Sequence, residues 1–221
     1  MNLLNFDSVL LDMDGTLLDG HFDDLFWNDW VAKAYAAKNG LALDHARQQV
    51  QSELHAVAGQ IAWYDFDRWA DRFGLDLESL QESGRSLIQC RPGTLALLDY
   101  LTEHSMPMIL ATNAHPKVLA FKLKAIQAKH PPFTAYFSDI ITSHSFGSPK
   151  EALGFWQQFT EQTGINPART ALIDDNAKVL DAAKAYGIAG LIAISQPNSN
   201  QPPRPLLGYE NVCYLNELIT G

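Results

Sequence analysis

The residues best suited to chemistry in this sequence are aspartates that follow apolar runs. Asp12 and Asp14 come at the end of one such run, and Asp174 and Asp175 come directly after another. Side chains two residues apart on a strand point to the same side, so Asp12 and Asp14 can face one crevice. Four carboxylates in one place repel each other unless a cation neutralises them, and Mg²⁺ prefers hard oxygen ligands of this kind. The two pairs therefore predict a Mg²⁺ site.

Each aspartate pair also has a simpler explanation when it is taken alone. Asp12 and Asp14 are ordinary turn formers at the end of a strand. Asp175 and Asn176 could cap the N-terminus of the helix that follows, although Asp174 still belongs to the strand end. The functional interpretation depends on both pairs reaching the same edge of one sheet.

Other polar residues occupy corresponding places later in the chain. Thr112 and Asn113 follow the apolar residues 109–111, and they offer a hydroxyl and backbone N–H groups. Lys150 follows residues 147–149 at a predicted helix start. Alone, Thr112 is typical of a cap and Lys150 of a solvated surface charge. Together they could bind the oxygens of a phosphoryl group at the edge that carries the aspartates.

The elements that must position these residues alternate between strand and helix. Short runs that are apolar on both faces predict buried parallel strands, and helical patterns lie between the later runs. The predicted strands are 8–13, 108–111, 139–142, 170–173 and 190–194, with a sixth at 212–215, and the predicted helices are 94–104, 116–129, 149–163 and 176–186. This order predicts an α/β fold with a doubly wound, Rossmann-like parallel sheet.

One stretch breaks the alternation. Residues 20–90 contain helix-period segments and no strand-like run, and they are rich in tryptophan. We predict an α/β core formed by residues 1–19 and 91–221, with residues 20–90 as an all-helical insertion after the first strand. Tryptophans at helical spacing are typical of a core, although a purine could stack on such a ring. The predicted helices of the insertion are 22–38, 43–58, 61–73 and 77–89, and its tryptophans are Trp27, Trp30, Trp63 and Trp69.

Composition narrows the class of protein further. An apolar content of 47% is typical of a globular chain, and 16 Lys and Arg against 25 Asp and Glu give a net charge of −9. Such a charge disfavours a nucleic acid polymer as partner. Cys90 and Cys213 lie far apart, which disfavours a disulfide framework or a thiolate zinc site. Without an apolar run of membrane length or a signal peptide, we expect a cytoplasmic protein with no membrane contact.

The combined motifs resemble those of the haloacid dehalogenase superfamily of phosphatases. Residues 12–16, Asp-Met-Asp-Gly-Thr, are similar to the first motif of that family, and Thr112, Lys150 and the pair 174–175 are similar to the second, third and fourth. The helical insertion is similar to the family's mobile cap. Residues 10–19, 110–116 and 144–151 further resemble the bacterial GMP/IMP 5′-nucleotidase branch.

The resemblance agrees with a mechanism that the residue types also support. Asp12 would attack phosphorus and form an aspartyl-phosphate, while Asp14 would act as general acid and then as general base. Thr112, Asn113 and Lys150 would bind the transferring oxygens.

The same mechanism assigns the metal ligands and the substrate. Mg²⁺ would be held by the Asp12 carboxylate, the Asp14 carbonyl and Asp174, with Asp175 acting through a bound water. The expected substrate is a small phosphorylated molecule, a purine nucleoside monophosphate such as GMP or IMP.

Alternatives from other classes stay open at this stage. A generalist phosphatase of phosphoglycolate or sugar phosphates would carry the same motifs. A phospho-accepting signalling module also has an acidic pocket, a Thr and a Lys, but it does not explain the insertion. A dehalogenase would not need Asp14, and nothing marks Lys33 or Lys38 as the Schiff-base lysine of a phosphonate-cleaving enzyme. An inert interaction protein would not need to keep every catalytic side chain.

Overall fold

Six parallel strands form a sheet in the computed structural model, which describes residues 1–219. The strand order is β3-β2-β1-β4-β5-β6, and each neighbouring pair is parallel. The strands are β1 (Ser8–Leu11), β2 (Met108–Thr112), β3 (Asp139–Thr142), β4 (Thr170–Asp174), β5 (Gly190–Ile194) and β6 (Glu210–Val212). The predicted doubly wound α/β fold is confirmed, and the sixth strand begins two residues earlier and ends three residues earlier than predicted.

The central strands are mostly apolar because both of their faces are covered. All residues of β1, β2 and β4 are buried. Alternate residues belong to different packing clusters: Val9 and Leu11 contribute to one, and Leu10 contributes to the other. This double burial explains why these strands read as continuous apolar runs.

Four helices alternate with strands β2 to β5 along the chain. They are α6 (Thr94–Glu103), α7 (Pro116–Lys129), α8 (Leu153–Thr163) and α9 (Ala177–Tyr186). The prediction that Pro149 begins a helix is wrong, since α8 starts at Leu153 and Lys150 lies in a turn before it. The Lys150 N–H instead donates to Asn113 Oδ1 at 2.9 Å, which holds this turn against the end of β2.

The regular elements between residues 20 and 90 are all helical. α1 (His21–Leu25) passes through a π-helical turn, Phe26–Trp30, into α2 (Val31–Asn39). The remaining helices are α3 (Leu43–His55), α4 (Phe66–Phe73) and α5 (Leu77–Ser83), with 3₁₀ turns at Ile61–Trp63 and Arg85–Leu87. We call residues 20–90 the helical insertion.

The strand order reverses at the middle of the sheet. The chain runs from β1 outward through β2 to β3, and then returns to β4 on the other side of β1. Ligands of open α/β sheets bind outside the carboxyl ends of the strands at such a reversal. The carboxyl ends of β1 and β4 are therefore where a site is expected.

No helix within residues 1–219 is long and apolar enough to cross a membrane. Cys90 and Cys213 are both free thiols.

Candidate active site

Three carboxylates meet at the carboxyl ends of β1 and β4. Leu11 is paired with Ile173, so Asp12 and Asp174 lie beside each other at the ends of neighbouring strands. The Asp12 N–H donates to the Ile173 carbonyl at 3.1 Å, which fixes the backbone at this point. Together with Asp175, each residue offers a carboxylate oxygen within 4.8 Å of the other two.

Lys150 lies between two of these carboxylates. Its Nζ donates to Asp12 Oδ1, to Asp174 Oδ2 at 2.7 Å and to the Ala111 carbonyl at 2.9 Å. Burial alone would lower the pKa of Lys150, but the charges of Asp12 and Asp174 outweigh it and raise that pKa. Lys150 is therefore a buried cation in this cluster.

Gly15 allows the turn after β1 to approach the end of β4. Its φ is +83°, and a Cβ at this position would lie 2.6 Å from Asp175 Oδ2. A side chain here would clash with that carboxylate and would also require a conformation that L residues rarely adopt. The turn is held by Arg91, which donates to the Gly15 carbonyl at 2.9 Å.

The carboxylate cluster carries more negative charge than Lys150 can balance. Burial raises the pKa of Asp12 to about 7, with Lys150 opposing the rise and Asp174 adding to it. Burial also raises the pKa of Asp174. Burial, together with the charges of Asp12 and Asp174, raises the pKa of Asp175 well above its ordinary value. Three converging carboxylates with an unbalanced charge fit a hard divalent cation such as Mg²⁺, which would favour their ionised forms.

Thr112 and Asn113 are brought to the same place by the end of β2. Both are buried, and both line a cavity that extends from this edge of the sheet to the helical insertion. Thr112 Oγ1 accepts from the Ala114 N–H at 3.0 Å, as in a cap, while the Asn113 amide donates to Glu151 Oε2 at 2.9 Å. The structure thus brings together Asp12, Thr112, Asn113, Lys150, Asp174 and Asp175.

The Asp14 side chain lines the same cavity but has a separate partner. Its Oδ1 accepts from Lys122 Nζ at 2.7 Å, and Lys122 also donates to both oxygens of Asp23 in α1. Burial alone would lower the pKa of Lys122, but Asp14 and Asp23 raise it. Burial and the Asp14 charge raise the pKa of Asp23 to about 6 against the opposing charge of Lys122.

Lys122 was missed by the sequence reasoning although a signal exists. It lies in α7 three residues after Leu119 and four before Ile126, and all three side chains are buried. A lysine on the apolar stripe of an amphipathic helix must find a buried anion, because an unpaired charge there is costly. That spacing was available in the sequence, but its partners depend on tertiary packing.

Glu151 was also missed, and it links the sheet edge to the insertion. Its carboxylate accepts from the Tyr64 hydroxyl at 2.5 Å, from Asn113 and from Asn176 at 3.3 Å. Burial and the Glu151 charge raise the pKa of Tyr64, which keeps its hydroxyl protonated as the donor. No sequence motif ties Tyr64 to Glu151.

A cavity of about 450 Å³ joins the sheet edge to the helical insertion. Asp12 and Lys150 lie on its wall at the sheet, and Trp27, Gln51 and Trp63 lie on its wall in the insertion. We call it the central cavity. Its size falls in the range of small-molecule sites, which is roughly 300–1,000 Å³.

Comparison with known proteins identifies the family. The family model for haloacid dehalogenase-like hydrolases matches residues 6–187. This chain belongs to the haloacid dehalogenase-like hydrolases. It is 37% identical over 193 residues to the GMP/IMP nucleotidase YrfG of Escherichia coli, a match that covers 87% of this chain and 85% of the relative. The predicted family and the prediction of a phosphoric monoester hydrolase are confirmed.

More distant relatives of this hydrolase agree with the fold. A bifunctional riboflavin kinase/FMN phosphatase of Arabidopsis thaliana is 24% identical over 86% of this chain and 48% of its own length. A HAD phosphatase from Thermococcus onnurineus superposes with a TM-score of 0.77 at 24% identity, covering 96% of this chain and 95% of that one. A hydrolase identity disfavours the signalling-module alternative for this chain.

Proposed function

We propose that this hydrolase is a Mg²⁺-dependent purine nucleoside 5′-monophosphate phosphatase that prefers GMP and IMP. The observation that carries the proposal is the central cavity, which joins the Asp12 carboxylate to Trp27 and Trp63 of the insertion. A phosphate bound at the sheet edge would leave the rest of the same cavity for a nucleoside, and indole rings are suitable surfaces for a purine. The name of the Escherichia coli relative agrees with this substrate class.

The proposed chemistry divides hydrolysis between two carboxylates. Asp12 Oδ2 has no hydrogen-bond partner within residues 1–219, and it attacks phosphorus while the bond from phosphorus to the ester oxygen breaks. Asp14 gives its proton to that oxygen, and the nucleoside leaves. Asp14 then takes a proton from water as the water oxygen attacks the aspartyl-phosphate, which releases inorganic phosphate and restores Asp12.

The remaining site residues hold charge in place during transfer. Lys150 restrains Asp12 and Asp174, and it offers a positive charge to the transferring oxygens together with the Thr112 hydroxyl and the Asn113 backbone N–H. Lys122 holds Asp14 from the side of α7.

The Asp12 and Asp174 carboxylates and the Asp14 carbonyl would hold Mg²⁺, with Asp175 acting through water. When bound, Mg²⁺ reduces the repulsion between the anionic nucleophile and the anionic phosphate.

We also propose that residues 20–90 are a cap domain over a core of residues 1–19 and 91–221. Several contacts between charged or polar side chains join them at the site, among them Tyr64 to Glu151 and Asp23 to Lys122. A cap that meets the core around the reacting groups excludes water from them, which strengthens the electrostatic interactions there.

Metal removal gives a direct prediction. We expect turnover to cease in excess EDTA and to return with Mg²⁺, because the clustered carboxylates need a counter-charge beyond Lys150. Asp174→Asn should raise the Mg²⁺ concentration that gives half-maximal activity by at least about tenfold, because changes to groups that only support metal ligands already cost about that much in affinity. Mg²⁺ titration of both activity and Tm measures this.

Asp139→Asn is the matched control for that titration, since Asp139 is exposed at the opposite end of the sheet. Full activity in EDTA, or an unchanged Mg²⁺ midpoint in Asp174→Asn, would contradict a metal site here.

The substrate proposal is tested by kcat/KM for IMP, GMP, AMP, phosphoglycolate and a sugar phosphate with Mg²⁺ present. We expect IMP and GMP to exceed AMP by at least about tenfold, because their 6-oxo, N1–H edge has the reverse donor and acceptor pattern to the edge of AMP. If AMP or phosphoglycolate equals IMP, the substrate proposal is wrong and the chain is a broader phosphatase.

A further inference from the structure

Three hydrogen-bonded side chains run along the wall of the central cavity in the insertion. Asn28 Nδ2 donates to Asp24 Oδ1 at 2.7 Å, and Gln51 Nε2 donates to Asn28 Oδ1 at 2.7 Å. Asp24 lies in α1, Asn28 in the π-helical turn and Gln51 in α3, and all three line the cavity that contains Asp12. We call Asp24, Asn28 and Gln51 the amide chain.

Asp24 determines the direction of every hydrogen bond in the amide chain. An ionised carboxylate can only accept, and Asp24 Oδ2 also accepts from Asn198 at 3.2 Å and from Gln201 at 3.0 Å. Asn28 must therefore turn its NH₂ group toward Asp24 and its oxygen toward Gln51. Gln51 must in turn present its NH₂ group to Asn28, which leaves its own oxygen at the end of the chain.

Gln51 differs in this respect from the other amides of the central cavity. Six Asn and Gln side chains line the cavity, and five of their carbonyl oxygens are already hydrogen-bonded. Their donors are Gln51 for Asn28, the Lys150 N–H for Asn113, the Lys178 N–H for Asn176, the Asn200 N–H for Asn198 and Arg204 for Gln201. Gln51 Oε1 accepts from no group within residues 1–219.

We propose that Gln51 Oε1 recognises the base by accepting a hydrogen bond from the N1–H of a 6-oxopurine. This inference rests on the proposed nucleotidase function and names the residue that would set its specificity. Hypoxanthine and guanine carry a proton on N1, whereas N1 of adenine is an acceptor. An oxygen that the amide chain holds in place would face that lone pair, so two acceptors would meet with no proton between them and both would lose a hydrogen bond.

The aromatic residues of the cavity suit the same ligand. Trp27 and Trp63 line it together with the side chain of Leu54. The Trp27 ring packs edge-on against Phe26, with 4.9 Å between the ring centroids. The Trp63 ring packs edge-on against His55, with 5.7 Å between the centroids. Rings that are already held by neighbours lose little side-chain freedom when a base packs on them.

Two variants of the amide chain test the proposal. Gln51→Leu removes the oxygen that accepts from N1–H, so the ratio of kcat/KM for IMP to that for AMP should fall about 10- to 100-fold. In Asp24→Asn the side chain can donate as well as accept, so Asn28 and Gln51 can reverse and offer an NH₂ group to N1 of adenine. The kcat/KM for AMP should then rise above that of the wild type, a gain that misfolding cannot produce.

Gln49→Leu is the matched control, because Gln49 is on the same helix and bonds to the exposed His45 instead of lining the cavity. Its ratio should equal that of the wild type. If the wild type prefers IMP and Gln51→Leu keeps that ratio within about twofold, this inference is wrong while the proposed function stands. If the wild type shows no preference for IMP over AMP and phosphoglycolate, both are wrong.

Discussion

Asp12→Asn is expected to lower kcat for IMP by at least about three orders of magnitude. The amide cannot attack phosphorus, so no aspartyl-phosphate forms, while the shape of the side chain stays nearly the same. Lys150 keeps Asp174 and the Ala111 carbonyl as partners, so the variant is expected to fold. The loss should therefore appear in kcat, measured with saturating substrate and Mg²⁺, with an unchanged circular dichroism spectrum.

Asp7→Asn provides the control for that measurement. Asp7 lies just before β1 and pairs with Arg169, and both side chains are largely exposed at the opposite end of the strand from the site. Its activity should equal that of the wild type. Retention of a tenth of wild-type turnover by Asp12→Asn in a clean preparation would rule out Asp12 as the nucleophile.

The sheet could be predicted from the sequence because burial on both faces leaves a clear signal. A parallel strand covered by helices on each side is buried throughout and largely apolar, as in β1 and β4, and its carboxyl end must carry any ligand-binding groups. The placement of Asp12, Asp174 and Thr112 at one edge follows from that topology alone. The capping Asn176 and the Gly187 that ends α9 were also recognisable from local rules.

Helix boundaries in the insertion were harder to predict because local breaks were hidden in long periodic segments. The segment 61–73 reads as one helix, but Asp65 accepts from the Arg68 N–H at 3.0 Å and begins α4 there. The segment 77–89 similarly ends its α-helix at Ser83, before Gly84. Both breaks carry residues that favour them, Asp as an N-cap and Gly after a helix, and these local residues override the longer helical periodicity.

The contacts of the cavity wall could not be predicted because they join elements that are distant in the sequence. Lys122 meets Asp14 across 108 residues, and Tyr64 meets Glu151 across 87. Each pair brings a side chain of the insertion or of α7 to a turn at the sheet edge. Motif spacing constrains such turns, whereas the partners depend on how the helices pack over them.

Asp14→Asn should affect substrates according to how much their leaving groups need a proton. A nucleoside 5′-oxygen is a poor leaving group, so loss of the acid should lower kcat/KM for IMP by about 10²- to 10⁴-fold. An aryl phosphate such as p-nitrophenyl phosphate releases a stabilised anion that needs no proton. Its kcat/KM, which reports the first step, should therefore fall far less than that of IMP. Measuring both substrates with one enzyme preparation separates loss of the acid from general damage to the site.

Asp23→Asn tests whether the effect belongs to Asp14 itself. Asp23 shares Lys122 with Asp14 and also lines the central cavity, but our mechanism gives it no proton to transfer. Its replacement leaves Lys122 paired with Asp14, so the two substrates should change by similar factors. Equal losses for IMP and p-nitrophenyl phosphate in Asp14→Asn would mean that Asp14 is not the general acid. The proton would then have to come from another group on the cavity wall, because the leaving nucleoside oxygen still requires one.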